Sequence, residues 1–171
     1  MSDTHNVEAL LGQMTETLQT TLTQRGISEP LMIGIHTGGV WIAEALHQRL
    51  GLKQPLGTLN ITFYRDDFTR IGMHPQVQPS SLPFSVDNKH IILVDDVLHT
   101  GRTIRAAMNE IFDYGRPASI MLVVLVERGG HELPIRADVA GIHMELTEHE
   151  QIKLGGPSPL SLKRIQTKEN A

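Results

Sequence analysis

The sequence of 171 residues contains no cysteine. This absence excludes disulfide bonds, a cysteine nucleophile and metal centres held by thiolates. Aromatic residues make up only 4% of the chain, which argues against a surface on which nucleic-acid bases stack. No apolar run approaches the roughly 18 residues that span a bilayer, and the first residues lack a basic segment followed by an apolar one. We therefore expect a cytoplasmic protein that does not contact the membrane.

The composition is that of a folded domain. Hydrophobic residues make up 40% of the chain and charged residues 20%, and the formal net charge is -4. A chain of this length suits one domain, which we expect to span residues 1–171. The negative net charge gives no overall electrostatic attraction to nucleic acid. A basic patch on one face of the protein remains compatible with this net charge.

Apolar runs alternate with helical patterns along the chain. Strands are predicted at 31–35, 59–64, 90–94 and 120–126. Helices are predicted at 7–22, 40–50 and 102–114. The last helix would place Phe112 on its buried side. Strands and helices that alternate with short connections predict an α/β fold, a parallel sheet with helices on both faces.

Two segments lack such patterns. Residues 65–87 lose all periodicity and contain several prolines, and an irregular connection of this length is typical of a lid or a binding loop. We expect a flexible functional loop there. Residues 163–171 are polar, and we expect them to fray.

The clearest chemical signal follows the strand at 90–94. Ligands of parallel sheets bind outside the carboxyl ends of the strands. The backbone N–H groups of a helix that starts near Gly101, with the hydroxyls of Thr100 and Thr103, would bind a phosphate. The carboxylates of Asp95 and Asp96 would face sugar hydroxyls or a divalent metal. A phosphorylated sugar would satisfy both halves, whereas the alternative is merely a capped helix after an Asp-rich turn.

These residues also carry a family resemblance. Residues 91–103, IILVDDVLHTGRT, resemble the phosphoribosyl-pyrophosphate (PRPP) binding motif of type I phosphoribosyltransferases. Further segments are similar to the PyrR family, pyrimidine operon attenuation proteins that also show uracil phosphoribosyltransferase activity. These segments are 34–43 (GIHTGGVWIA), 61–67 (ITFYRDD), 113–117 (DYGRP) and 133–138 (LPIRAD). The resemblance implies a type I phosphoribosyltransferase fold, with a flexible active-site loop at 65–87 and a small hood at 127–145.

The resemblance also implies roles for individual residues. Asp95 and Asp96 would hold the ribose of PRPP and Mg2+, directly or through water, and Arg65 would neutralise pyrophosphate. The remaining contacts to the 5′-phosphate and ribose would come from Val97, Leu98, His99, Thr100, Gly101, Arg102 and Thr103. The pyrophosphate loop would consist of His36, Thr37, Gly38 and Gly39. The hood residues that cover the base would be Asp138, Val139 and Ile142, and RNA contacts would come from His131 and Arg136.

The activity implied is conversion of uracil and PRPP to UMP and pyrophosphate with Mg2+ bound to PRPP. The family also regulates pyrimidine genes in response to UMP or UTP through a stem-loop in the mRNA leader, and it implies a homodimer or a higher homo-oligomer.

Three departures from the family pattern leave alternatives open. Gly38 and His36 stand where members usually carry basic residues. His99 stands where Tyr is more common, and it would act either as a general base or as an ordinary turn residue. Residues 128–132 are less basic than in Gram-positive relatives, which argues for weaker RNA binding. The alternatives are therefore a catalytically weak, nucleotide-sensing regulator and a purine phosphoribosyltransferase.

Overall fold

The structure is a computed structural model that describes residues 4–61 and 79–167. Within these ranges the strands are β1 (Thr4–His5), β2 (Leu31–Ile35), β3 (Gly57–Leu59), β4 (His90–Leu98), β5 (Ser119–Arg128), β6 (Val139–Met144), β7 (Glu150–Gly155) and β8 (Ser161–Gln166). The helices are α1 (Val7–Gln24), α2 (Gly38–Leu50) and α3 (Arg102–Tyr114). No described helix is long and apolar enough to cross a membrane.

The larger sheet has the order β3-β2-β4-β5-β6, and all of its neighbouring strands are parallel. Helices α1 and α2 pack on one face, and α3 packs on the other. Because both faces are covered, the central strands are apolar on both sides, as the uninterrupted runs predicted. The α/β prediction, with its parallel sheet and helices on both faces, is confirmed.

The prediction that Phe112 lies on the buried side of α3 is wrong. Ile104 and Ile111 are buried against the sheet, whereas Phe112 is 56% exposed. Successive helical residues are about 100° apart, so the residue after Ile111 already lies off the buried stripe.

A second, smaller sheet was not predicted. Strands β1, β8 and β7 form it in that order, and its strands are antiparallel. It corrects the prediction of a frayed tail for residues 163–166, because β8 pairs with β7 as far as Gln166, and residues 168–171 lie outside the described residues. Within the region predicted as a hood, 127–145, Val139–Met144 is the edge strand of the larger sheet and pairs with β5.

Two further boundaries differ from the prediction. Strand β3 runs over Gly57–Leu59 and ends where the predicted strand begins. The predicted loop at 65–87 lies partly outside the described residues, but its described part, 79–87, is packed against the domain. Thr58 and Ser81 exchange two backbone hydrogen bonds of 2.8 Å, and the side chain of Val86 is buried.

Candidate active site

The two predicted carboxylates lie inside β4 rather than in a loop after it. Asp95 and Val97 pair with Val124 and Val126 of β5. The aspartates end the apolar pattern but continue the strand. Each carboxylate also accepts a hydrogen bond from the next backbone N–H: Asp96 N to Asp95 Oδ1 at 2.8 Å and Val97 N to Asp96 Oδ1 at 2.9 Å. Asp95 is buried, and Asp96 is partly exposed.

The start of α2 packs directly on these carboxylates. A Cβ atom at Gly38 would lie 2.3 Å from Asp96 Oδ2, and one at Gly39 would lie 3.0 Å from Asp95 Oδ1. Only residues without a side chain allow this approach. The structure thus brings the predicted pyrophosphate loop and the two aspartates together, although Gly38 and Gly39 form the first turn of α2 rather than a loop.

The residues before α2 contribute little positive charge. The backbone N–H of His36 donates to Leu59 O at 2.8 Å, and partial burial lowers the pKa of its imidazole below 6.5 despite the nearby Glu44. His36 is therefore mainly neutral at neutral pH. The peptide bond between His36 and Thr37 is cis. Thr37 is exposed, and its side chain does not cap α2.

The predicted phosphate loop forms the start of α3. Gly101 has a φ of 96°, a left-handed conformation that favours glycine. The first N–H of α3, that of Arg102, donates to Thr100 Oγ1 at 3.2 Å. The first N–H groups of a helix have no backbone partners within the helix, so those that follow Arg102 can bind an anion. A cavity of about 170 Å³ lies here. Its lining is Val97, Leu98, His99, Thr100, Gly101, Thr103 and Ile104.

The phosphate loop is fixed by the segment after β5. The carbonyl of Thr100 accepts hydrogen bonds from Glu132 N at 3.0 Å and Leu133 N at 3.1 Å. The side chain of Arg102 points to solvent, where its Nε lies 3.6 Å from Glu132 Oε2. These contacts give the LPIRAD stretch a structural reason to accompany the PRPP motif.

His99 joins this loop to a larger cavity of about 600 Å³. The other lining residues are Arg128, Gly129, Gly130, Glu145, Leu146, Thr147, Glu148, Glu150 and Gln151. Partial burial lowers the pKa of His99 below 6.5, and the positive charge of Arg128 acts in the same direction. A mainly neutral imidazole at this position can accept a proton at neutral pH.

The two predicted RNA contacts lie in a different cavity. His131 and Arg136 line a space of about 720 Å³ beside β5 and β6, together with Glu127 and Glu145. The buried Glu127 carboxylate lies 3.5 Å from His131 Nε2 and 3.4 Å from His143 Nδ1. Acidic side chains therefore accompany the basic ones at this surface.

The predicted hood residues do not line the site. Asp138 precedes β6 at its amino end, where its carboxylate accepts a hydrogen bond from Leu122 N and pairs with Arg25. Val139 is buried in the core, and Ile142 packs against that core. Arg65, predicted to neutralise pyrophosphate, lies outside the described residues.

The contribution of residues 145–151 to the cavity beside His99 was not predicted from the sequence. This stretch is polar and short, and it carries no motif. Its neighbour in the cavity, Arg128, is the last residue of β5 and was grouped only with the RNA face. The signal available was positional, since Arg128 ends one parallel strand and residues 145–151 follow the carboxyl end of the next.

The chain is similar to known phosphoribosyltransferases. The model of the phosphoribosyl transferase domain matches residues 3–153. A protein of Nitrosococcus oceani named "Bifunctional protein PyrR" is 62% identical over 157 residues, which cover 91% of this chain and 89% of that protein. A protein of Pseudomonas aeruginosa with the same name is 57% identical over 159 residues, with 93% and 94% covered.

Solved structures show the same fold at low identity. A hypoxanthine-guanine phosphoribosyltransferase from Bacillus anthracis matches with a TM-score of 0.66 and 16% identity, and the match covers 83% of each chain. A purine phosphoribosyltransferase from Pyrococcus horikoshii matches with a TM-score of 0.59 and 21% identity, over 80% of this chain and 83% of that one. At such identities the likeness concerns the fold alone.

Proposed function

The chain belongs to the phosphoribosyl transferase domain family and, within it, to the bifunctional PyrR proteins, and from this premise we propose that it transfers phosphoribose from PRPP to uracil and regulates pyrimidine genes. One observation supports the catalytic part: His99 lines both the cavity at the start of α3 and the larger cavity, and the strand that leads into this loop carries Asp96 against the start of α2. A ribose 5-phosphate with a base attached has three groups, a phosphate, a sugar and a base, that these three places would bind.

In this proposal, each part of PRPP has its own partner. The first N–H groups of α3 and the hydroxyls of Thr100 and Thr103 bind the 5′-phosphate. Asp95 and Asp96 accept hydrogen bonds from the ribose hydroxyls. Pyrophosphate lies at the start of α2, where the backbone approaches Asp96.

The same carboxylates suit Mg2+, which prefers oxygen ligands and keeps several waters and substrate phosphates around it. Asp96 is partly exposed and adjoins the proposed pyrophosphate position, so the donor set fits. When bound, Mg2+ supplies positive charge that stabilises pyrophosphate as it departs. A ring nitrogen of uracil then bonds to the anomeric carbon as the bond from that carbon to pyrophosphate breaks.

Uracil would occupy the cavity of about 600 Å³, since this cavity shares His99 with the phosphate loop. His99 is mainly neutral there and would take the proton that the ring nitrogen releases. Residues 145–151 and Arg128 would contact the base, in place of the predicted Asp138, Val139 and Ile142.

A second candidate function has its own support. Neither Gly38 nor the mainly neutral His36 supplies a cation at the start of α2, which favours a protein that binds UMP or UTP and catalyses weakly. In either case, regulation through an mRNA leader would use the surface of His131 and Arg136. The acidic neighbours at that surface reduce its attraction for phosphate.

The deciding experiment measures product from PRPP and Mg2+ with uracil, orotate, hypoxanthine and guanine in parallel reactions. The proposal expects UMP from uracil and no product from the others. UMP binding by calorimetry without turnover would favour the nucleotide sensor, and product from a purine alone would overturn the proposal.

A further inference from the structure

One loop belongs to both sheets and also to the proposed base cavity. Residues 145–149 connect β6 of the larger sheet to β7 of the smaller sheet. Glu145, Leu146, Thr147 and Glu148 of this loop, with Glu150, line the cavity that His99 also lines. The position of the loop therefore affects the shape of the cavity.

The ion pair between Arg164 and Glu150 holds this loop at two points, Thr147 N and Glu145 O. Glu150 Oε1 accepts a hydrogen bond from Thr147 N at 3.1 Å, and Glu150 Oε2 accepts one from Arg164 Nε. The Nη2 atom of the same arginine donates to Glu145 O at 3.1 Å. Arg164 lies on β8, so the smaller sheet reaches the cavity wall through its guanidinium group.

Burial and charge show that this contact differs from an ordinary surface pair. The side chain of Glu150 is only 10% exposed, and that of Arg164 is 31% exposed. The hydrogen bond from Arg164, followed by that from the Thr147 backbone, lowers the pKa of Glu150 to about 2. Glu150 is therefore ionised throughout the working pH range of a protein.

We propose that Arg164, acting through Glu150, is a positioning residue for the base: it holds residues 145–149 in the conformation that forms the wall of the base cavity. This inference rests on the proposed function, because it needs the base to lie in that cavity. The hydrogen bonds from Arg164 to Glu150 and to the Glu145 carbonyl lie at the wall of the base cavity, so its removal should affect the base first.

The chemistry of the contact requires arginine. A guanidinium group presents several N–H donors in a fixed plane and can serve Glu150 and the Glu145 carbonyl together. A lysine ammonium would keep the charge but lose the planar geometry, so Arg164→Lys should retain part of the effect.

The test compares steady-state kinetics of Arg164→Met, Arg164→Lys and Glu150→Gln with those of the unaltered protein, varying uracil and PRPP separately. If only about a tenth of the Arg164→Met molecules hold the competent loop, the KM for uracil rises about tenfold. The kcat and the KM for PRPP should change less than about twofold, because saturating uracil selects the competent loop. Arg164→Lys should lie between.

Two controls sharpen the test. Arg49→Met removes an ion pair with Glu8 that joins α2 to α1, away from this cavity, and should leave the KM for uracil unchanged. Glu150→Gln should raise that KM as well, and combining it with Arg164→Met should add little, because both variants break one unit.

The outcomes separate the two ideas. A KM for uracil that rises in the Arg164 variants and in Glu150→Gln, but not in Arg49→Met, supports the positioning role. An unchanged KM for uracil in Arg164→Met and Glu150→Gln, or an equal rise in Arg49→Met, overturns the positioning role and leaves the proposed function standing. If the unaltered protein forms no product from uracil, the proposed function fails and the inference fails with it.

Discussion

Replacing Gly38 with alanine tests whether the site depends on close contact between α2 and β4. The added Cβ would lie 2.3 Å from Asp96 Oδ2 and 2.8 Å from its Cγ. Separations this short are not tolerated, so the carboxylate must turn away. It would then lose the hydrogen bond from Val97 N, which measures 2.9 Å.

The cost in function should exceed the cost in stability. Losing one hydrogen bond between the Asp96 carboxylate and PRPP costs about 1.5–3 kcal/mol, or about 10- to 150-fold in kcat/KM for PRPP. Alanine favours a helix over glycine by about 0.8–1.0 kcal/mol, and a displaced rotamer costs about 0.5–1.5 kcal/mol. The lost hydrogen bond from Val97 N costs about 0.5–1.5 kcal/mol more, so the free energy of unfolding should fall by no more than about 2 kcal/mol. Kinetics with varied PRPP and urea denaturation measure the two effects.

Gly12 offers a matched control. It lies inside α1, and a Cβ there would contact nothing within 4 Å. Gly12→Ala should raise the free energy of unfolding by about 1 kcal/mol and leave kcat/KM unchanged. A folded Gly38→Ala protein with unchanged kcat/KM for PRPP would show that Asp96 does not contact PRPP, and the reasoning would be refuted. The same contact predicts that Gly38→Arg also displaces Asp96 before its charge can help pyrophosphate leave.

Three further predictions concern single groups. Asp96→Asn should weaken PRPP binding by about 1.5–3 kcal/mol in calorimetry. The melting temperature should stay nearly constant, because the Asp96 side chain is partly exposed. Unaltered affinity would count against a contact between Asp96 and PRPP. If His99 is the base, kcat/KM for uracil should fall only at pH values below 6.5, because its pKa is lowered, and His99→Asn should lose this pH dependence. A fall at low pH that persists in His99→Asn would assign the proton to another group. The stability from the pair of Glu150 and Arg164 should be complete above pH 4.5 and decline as pH falls toward 2. In urea denaturation, the free energies of unfolding of Arg164→Met and the unaltered protein should therefore differ less at pH 3 than at pH 7. An equal difference at both pH values would contradict the lowered pKa.

The sequence predicted the larger sheet well because its strands are uninterrupted apolar runs. β2 and α3 have the predicted bounds, and β4 was cut short because Asp95 and Asp96 interrupt hydrophobicity without interrupting strand pairing. The smaller sheet was missed for a different reason. Residues of β7 alternate only weakly, and the two residues of β1 are stabilised by pairing with the distant strand β8 rather than by a pattern of their own.

The sugar and phosphate half of the site could be predicted because it is contiguous. Residues 95–103 contain the carboxylates, the turn and the start of the helix in nine consecutive positions. The contact between Gly38 and Asp96 joins residues far apart in the chain, and it exists because β2 and β4 are neighbours in the sheet. Only the resemblance to a family paired these two segments in advance.

The base half of the site is assembled from distant segments, and this division has a functional consequence. His99 comes from the phosphate loop and Arg128 from the end of β5. The rest of the lining includes residues of 145–151, and we propose that the position of this stretch depends on Arg164 of β8. A fold built in this way can vary the base wall without disturbing the PRPP motif, because the two halves share only His99. Substitutions in 145–151 should therefore change which base is accepted, whereas substitutions in 95–103 should change the affinity for PRPP with every base.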